Sequence, residues 1–223
     1  MGEGVLKAGR REGGKAGREG GDPMELFADA GIERRGVVLH AAGVSLDELA
    51  STYGTPLYVY NADAIRRQFE RLDTALAGVP HRICFAVKAN SNLGVLRVLR
   101  DCGAGADIVS GGELARALTA GFAAERVVFS GVGKRIDELR DAVRARIGHV
   151  NIESLDEIGV LASLAAVENT TVEIGVRVNP DVTAETHPYI STGGRGIKFG
   201  VPVDQVAEAA YMEIGRASCR ERV

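Results

Sequence analysis

The sequence predicts an α/β fold, and three observations carry that prediction. Short apolar runs, Pro56 to Tyr60, Ile83 to Val87, Ala106 to Val109, Val127 to Phe129, Val150 to Ile152 and Val172 to Val178, alternate with segments of helical period. The runs are apolar almost throughout, and one helix joins each to the next, the pattern of parallel strands covered by helices. Polar groups then recur just after the strands: Lys88-Ala89-Asn90, Ser110-Gly111-Gly112, Ser130-Gly131-Val132-Gly133-Lys134, Glu153-Ser154 and Asn179-Pro180-Asp181. A (β/α) barrel and a doubly wound sheet both accommodate the alternation. The polar strand ends favour the barrel, in which such ends share one rim and build the active site.

Residues 1–23 hold eight of the 29 glycines, with basic and acidic residues that nearly cancel. Such a stretch buries too little apolar surface to offset its ordering entropy and is expected to be a disordered leader. It has no aromatic for base stacking, which argues against an RNA-binding arm, and Met24 offers a second start. Residues 24–55 form a segment outside the barrel, with an apolar run at Gly36 to His40. Its capping-box tetrapeptide, Ser45-Leu46-Asp47-Glu48, introduces a helix over Leu46 to Tyr53.

The partial barrel is assigned to residues 56–212. Its helices are expected at Ala62 to Ala77, Leu93 to Asp101, Gly112 to Ala120, Ile136 to Arg146 and Leu155 to Val167. Leu93, Leu96, Leu99 and Cys102 mark one helical face, as do Leu139, Ala142 and Val143. From Asp181 to Gly200 the alternation breaks into a long loop, a kind of segment that is usually functional when ordered. A last helix is expected at Val203 to Tyr211. The tail, residues 213–223, has no periodicity and reads codon by codon like a sequencing adapter, so it is expected to be non-native and Cys219 to carry no function.

A hydrophobic share of 45% beside 26% charged residues places the chain among ordinary globular proteins, slightly short of the roughly 250 residues typical of a closed barrel. A net charge of -3 gives no electrostatic reason to expect nucleic acid or an anionic membrane as partner. No apolar stretch nears the roughly 20 residues of a membrane span. The three cysteines, Cys84, Cys102 and Cys219, are too scattered for a disulfide framework or metal site, and a reducing cytoplasm is the expected location.

Among the candidate site residues Lys88 comes first, at the end of an apolar run and before a polar, helix-opening turn. Such a lysine either ends a strand in solvent or, partly desolvated, serves as an amine nucleophile. Gly103-Ala104-Gly105 precedes a strand and lacks the third glycine of a dinucleotide fingerprint, which argues against NAD. Gly131-Val132-Gly133-Lys134 lacks the Walker spacing and is a plain turn or an anion nest. Ser110 to Glu113 and Ser154 to Glu157 have capping-box spacing.

Asp107 is an acid within an apolar strand, costly unless partnered, and Lys88 or Arg177 is the expected partner. Arg177, itself between Val176 and Val178, is open to either a structural ion pair or a site contact. His187 is the only histidine in a candidate site loop, and a solvated role competes with a site role there. His40, His81 and His149 read as surface or strand-edge residues.

Phe85-Ala86-Val87-Lys88-Ala89-Asn90 resembles the pyridoxal-phosphate (PLP) decarboxylases built on an alanine-racemase-type barrel. Val109-Ser110-Gly111-Gly112-Glu113-Leu114, Val128-Phe129-Ser130-Gly131-Val132-Gly133-Lys134, Val176-Arg177-Val178-Asn179-Pro180-Asp181 and His187-Pro188-Tyr189-Ile190-Ser191-Thr192-Gly193 extend the resemblance over roughly Met24 to Tyr211. Together they are similar to the diaminopimelate decarboxylase family more than to its ornithine and arginine relatives, with the His187 stretch as the discriminating one.

The resemblance implies an incomplete (β/α)8 TIM-type barrel with PLP as cofactor, Lys88 as the Schiff-base lysine, Asp107 and Arg177 near the cofactor and the His187 loop over the mouth. It implies an amino-acid substrate, meso-diaminopimelate, which loses the carboxylate of its D-centre to give L-lysine, and a homodimer for the full-length enzyme. Five βα units follow from the strand of Lys88, so three strands of an eightfold barrel are not among these residues. Nor are the family's ring-stacking histidine, its phosphate cradle, the acid that pairs with the pyridine nitrogen and its carboxy-terminal β domain. The chain is therefore expected to be an inactive fragment. Two other readings are a decarboxylase of ornithine, arginine or a carboxylated polyamine on the same barrel, and a non-catalytic PLP-binding protein.

Overall fold

The computed structural model describes residues 27, 29–179, 199–214 and 219–221. The expected leader, His187 and the rest of its loop, and the remainder of the tail lie outside these residues. The chain divides into two compact units, Met1–Ala64 and Ile65–Val223.

In the first unit, β1 (Ile32–Arg35) and β2 (Val38–Ala41) pair antiparallel, and β3 (Val44–Ser45) completes a three-stranded meander. The single run expected at Gly36 to His40 is thus part of a hairpin, because Gly36, at φ +62°, turns the chain back. Helix α1 (Leu46–Tyr53) begins as the capping pattern requires, with Ser45 Oγ accepting from the Glu48 amide at 3.3 Å. Pro56 to Tyr60 does not form the expected strand. The segment joins no sheet, and Leu57, Tyr58, Val59 and Tyr60 are exposed. Strand composition alone does not make a strand, and no sheet takes this segment up although β1 and β3 each leave an edge open among the described residues.

Helix α2 (Ala62–Ala75) leads into the repeating part of the chain: β4 (Cys84–Ala86), α3 (Leu93–Asp101), β5 (Gly105–Ile108), α4 (Gly111–Ala120), β6 (Val127–Phe129), α5 (Ile136–Ala145), β7 (His149–Ile152), α6 (Leu155–Val167) and β8 (Val172–Val176). The run expected as one strand to Val178 stops at Val176. Beyond Arg177, β9 (Val178–Asn179) pairs in parallel with β10 (Val201–Pro202), which precedes α7 (Val206–Ile214) and β11 (Cys219–Glu221).

The main sheet is parallel, in the order β4-β5-β6-β7-β8-β11. This order decides between the two candidate architectures. Each crossover steps in the same direction, and right-handed crossovers that never reverse keep every helix on one face. A doubly wound sheet reverses; this one is an open arc of a barrel, with β4 and β11 at its edges.

Side-chain alternation fits that arc. Ala106, Ile108, Val127, Phe129, Val150 and Ile152 are fully buried in a single core with Leu96, Leu139, Ile158 and Leu161 from the helices. The alternate positions face the concave side and carry Asp107, Val128, His149, Asn151 and Glu173. Val128 is buried too, yet lies outside the helix-side core. Gly105 marks a close approach at the base of β5, where an added Cβ would lie 2.5 Å from Arg126 O and 2.7 Å from Cys84 Sγ. Gly105→Ala is expected to destabilise the chain by about 1–3 kcal/mol, measured as a lower urea midpoint.

The tail behaves differently from its sequence pattern. Cys219–Glu221 pairs with β8, Cys219 opposite Val172 and Glu221 opposite Ile174. An edge strand presents unpaired backbone groups that any extended segment can satisfy, whatever its side chains.

Candidate functional site

Lys88 lies in a 3-10 turn, Val87–Ala89, directly after β4. Val87 is fully buried and fixes the turn from below, while the Lys88 side chain is exposed. Two asparagines hold the following backbone. Asn90 Oδ1 accepts from the Asn92 amide at 3.0 Å, and Asn92 Oδ1 caps α3 by accepting from the Gly94 amide at 2.8 Å. The polar turn read from the sequence is therefore a hydrogen-bonded base under an exposed amine. Lys134 is its opposite: the side chain has no exposure, and Nζ lies 3.0 Å from Glu157 Oε2.

Asp107 pairs laterally with Ala86 of β4, two residues before Lys88. Its Oδ1 is buried without a hydrogen-bond partner. The expected partners do not serve: Arg177 is turned to Glu153, with Nη1 2.9 Å from Oε1, and no ion pair joins Asp107 to Lys88 among the described residues. A buried acceptor left this way is costly unless something outside the chain satisfies it.

His149 lies in the same lateral row, through Asp107 opposite Val128 and Val128 opposite His149. It was expected at a surface or strand edge but is half-buried in an interior strand. Burial pushes its pKa below the ordinary histidine value; the Glu173 and Asp107 charges raise it, and that of Arg82 lowers it. The folded state then binds this proton less readily than the unfolded state. Stability is accordingly expected to be full above about pH 7 and to fall as pH drops below about 6.5. His149→Gln should flatten that fall in urea midpoints measured across the range.

Three glutamates, each the third residue of its helix, tie the strand ends to the helix starts. Glu113 Oε2 accepts from the Val109 amide at 2.9 Å, one residue further back than in a capping box, while Ser110 Oγ accepts from the Glu113 amide at 3.2 Å. Glu138 bridges the Gly111 amide at 2.8 Å and the Arg135 amide at 3.0 Å. Glu157 Oε2 takes the Glu153 amide at 3.1 Å as well as Lys134, and Ser154 makes no side-chain cap. The expected box at Ser154 is thus replaced by an ion pair, because the fully buried ammonium of Lys134 needs an anion more than the helix start needs a hydroxyl.

Glu153, Glu157 and Lys134 are the rim residues that sequence reasoning missed as site candidates. The spacing of Glu157 was visible, but only as a helix cap. Arg177 also lies over the Phe199 ring, 5.2 Å from its centroid. A cleft of about 420 Å³ opens beside this group, lined by Glu153, Ser154, Asp156, Gly200, Val201 and Gln205 among others.

Residues 62–218 match the family model described as "Pyridoxal-dependent decarboxylase, pyridoxal binding domain". The diaminopimelate decarboxylase of Pseudomonas fluorescens is 51% identical over 179 residues, 80% of this chain and 43% of that protein. Among solved structures, diaminopimelate decarboxylase from Helicobacter pylori complexed with L-lysine is 40% identical with a TM-score of 0.74, over 78% of this chain and 44% of that one. The enzyme from M. jannaschii superposes with a TM-score of 0.78 at 32% identity, over 86% and 46% of the two chains. The chain thus spans under half the length of these relatives.

The residues present fit one end of a pyridoxal group. An exposed amine stands at Lys88, and the neighbouring strand holds an acid oxygen, Asp107 Oδ1, that no donor among the described residues satisfies. With this rim on an open arc of parallel strands and a family match over most of its length, the chain belongs to the pyridoxal-dependent decarboxylases, as a bearer of their pyridoxal binding domain.

Proposed function

We propose that these residues form the cofactor-attachment part of a decarboxylase that converts meso-2,6-diaminopimelate to L-lysine. The observation that carries this reading is the contrast between the two lysines among the described residues: Lys134 is buried and ion-paired, and Lys88 is exposed on a rigid turn. The cofactor, when bound, supplies an electron sink for the carbanion left as carbon dioxide departs. Lys88 would hold PLP through Nζ and, with that nitrogen free, would hold at Nζ the proton needed by the carbon that lost its carboxylate. Asp107 Oδ1 offers an acceptor on the concave face, Arg177 offers a guanidinium at the rim, and His187 belongs to the loop assigned to the mouth.

The choice of substrate rests on the relatives, which are diaminopimelate decarboxylases, one of them solved with L-lysine bound. For the full-length enzyme the reading includes a homodimer and a cytoplasmic location. Among the described residues, no helix is long and apolar enough to cross a membrane.

The test is a substrate panel on a decarboxylase of the relatives' full length that contains these residues. Carbon dioxide released from meso-diaminopimelate, and not from ornithine or arginine, supports the reading; the reverse preference overturns it. The 223-residue chain itself, whose sheet is open at β4, is expected to release no carbon dioxide above a protein-free control.

A further inference from the structure

One carboxylate ties together three parts of the rim that are distant in sequence. Glu153, only 9% exposed, follows β7. Its Oε1 accepts from Arg177 Nη1 at 2.9 Å, and its Oε2 accepts from the Gly200 amide at 2.9 Å. Its own amide is held by Glu157 Oε2 at 3.1 Å, and that same oxygen is held by Lys134 Nζ at 3.0 Å. Lys134 is in turn seated over the Phe129 ring, 5.9 Å from its centroid.

The chain is closely packed where these contacts meet. The Val201 amide donates to Arg177 O at 2.7 Å, and a Cβ added to Gly200, at φ +85°, would lie 2.7 Å from that oxygen. Two acids and two bases balance, so none of the four charges is left uncompensated. Arg177 retains 45% side-chain exposure, and a guanidinium has five N–H donors, of which Glu153 engages Nη1. An arginine held on one side and open on the other is suited to an anionic oxygen.

We propose that Glu153 is the positioning residue of this rim. It sets the Arg177 guanidinium for an anionic oxygen of cofactor or substrate and pins the start of β10 beside β9, with Lys134 and Glu157 fixing it from below. The functional half of this inference rests on the PLP-binding reading; the structural half does not.

The substitutions separate the two. Glu153→Gln keeps an acceptor for Gly200 but loses the charge that holds Arg177, and Glu153→Ala loses both. In the purified 223-residue chain, the Gly200 amide is expected to exchange with solvent about tenfold faster in Glu153→Ala than in the wild type and to change little in Glu153→Gln, while amides of β6 stay unchanged in both. Unchanged Gly200 exchange in Glu153→Ala overturns the proposal, even if the chain binds no PLP. Accelerated exchange there with no PLP binding by the wild type would sustain the pinning role and remove the PLP reading instead.

The ligand arm uses PLP, pyridoxal and L-lysine. If the anion is the cofactor phosphate, Glu153→Gln weakens PLP binding about tenfold and leaves pyridoxal binding unchanged. If it is a substrate carboxylate, the loss falls on L-lysine binding to the PLP-loaded chain. In either case the double variant with Arg177→Gln should be no weaker than Arg177→Gln alone. Additive losses, or no loss for any of the three ligands, overturn the positioning role.

Discussion

Lys88→Ala is expected to leave the fold intact and abolish retention of PLP. The side chain is exposed, and its turn is held by the burial of Val87 and by Asn90 and Asn92. The substitution therefore removes no packing and should shift stability by no more than about 0.5 kcal/mol. It does remove the one exposed amine among the described lysines, and with it the covalent hold on the cofactor. After incubation with PLP and gel filtration, the wild type should carry cofactor absorbance through the column and the variant none. Equal retention by both would refute the role assigned to Lys88.

Glu157→Leu is expected to destabilise the chain by about 3–5 kcal/mol, because it strands the buried ammonium of Lys134 against an aromatic ring. The same oxygen also serves the Glu153 amide, so the loss leaves two donors unsatisfied. The paired replacement Lys134→Met with Glu157→Leu removes both charges and should recover most of that loss, since an apolar pair of similar volume tolerates the site better than half an ion pair. Urea unfolding of the three proteins measures this directly. A loss of less than about 1 kcal/mol in the single variant would mean that the pair is solvated and behaves as a surface bridge.

The residues that shaped the fold were legible where short-range rules act alone. Val127–Phe129, Leu93–Asp101 and Leu155–Val167 appear at the bounds their periodicity predicts, and the cap at Ser45 forms as its spacing requires. Where the outcome depends on a neighbour far along the chain, the pattern was insufficient. Leu57 to Tyr60 has the composition of a strand but joins no sheet, and Cys219–Glu221 has no strand pattern but pairs with β8.

The site divides in the same way. Lys88 stood out as a candidate because a lysine closing an apolar run is a local feature, but the spacing left a solvent-facing end and a nucleophile both open, and the role assigned to it rests on the family resemblance. Arg177 was visible as a buried-strand charge, but its partner, Glu153, lies 24 residues away behind a serine that suggested a helix cap. Asp107 was expected to find a cation and finds none among the described residues, an outcome that only the geometry of the concave face reveals.

The most direct test of the account is to trap PLP on the 223-residue chain with borohydride and to locate the adduct by peptide mass spectrometry. The sequence contains five lysines, at 7, 15, 88, 134 and 198, so the map is unambiguous. One stoichiometric adduct is expected on the peptide containing Lys88 and none on buried Lys134. An adduct distributed over the other lysines, or absent from Lys88, would contradict it.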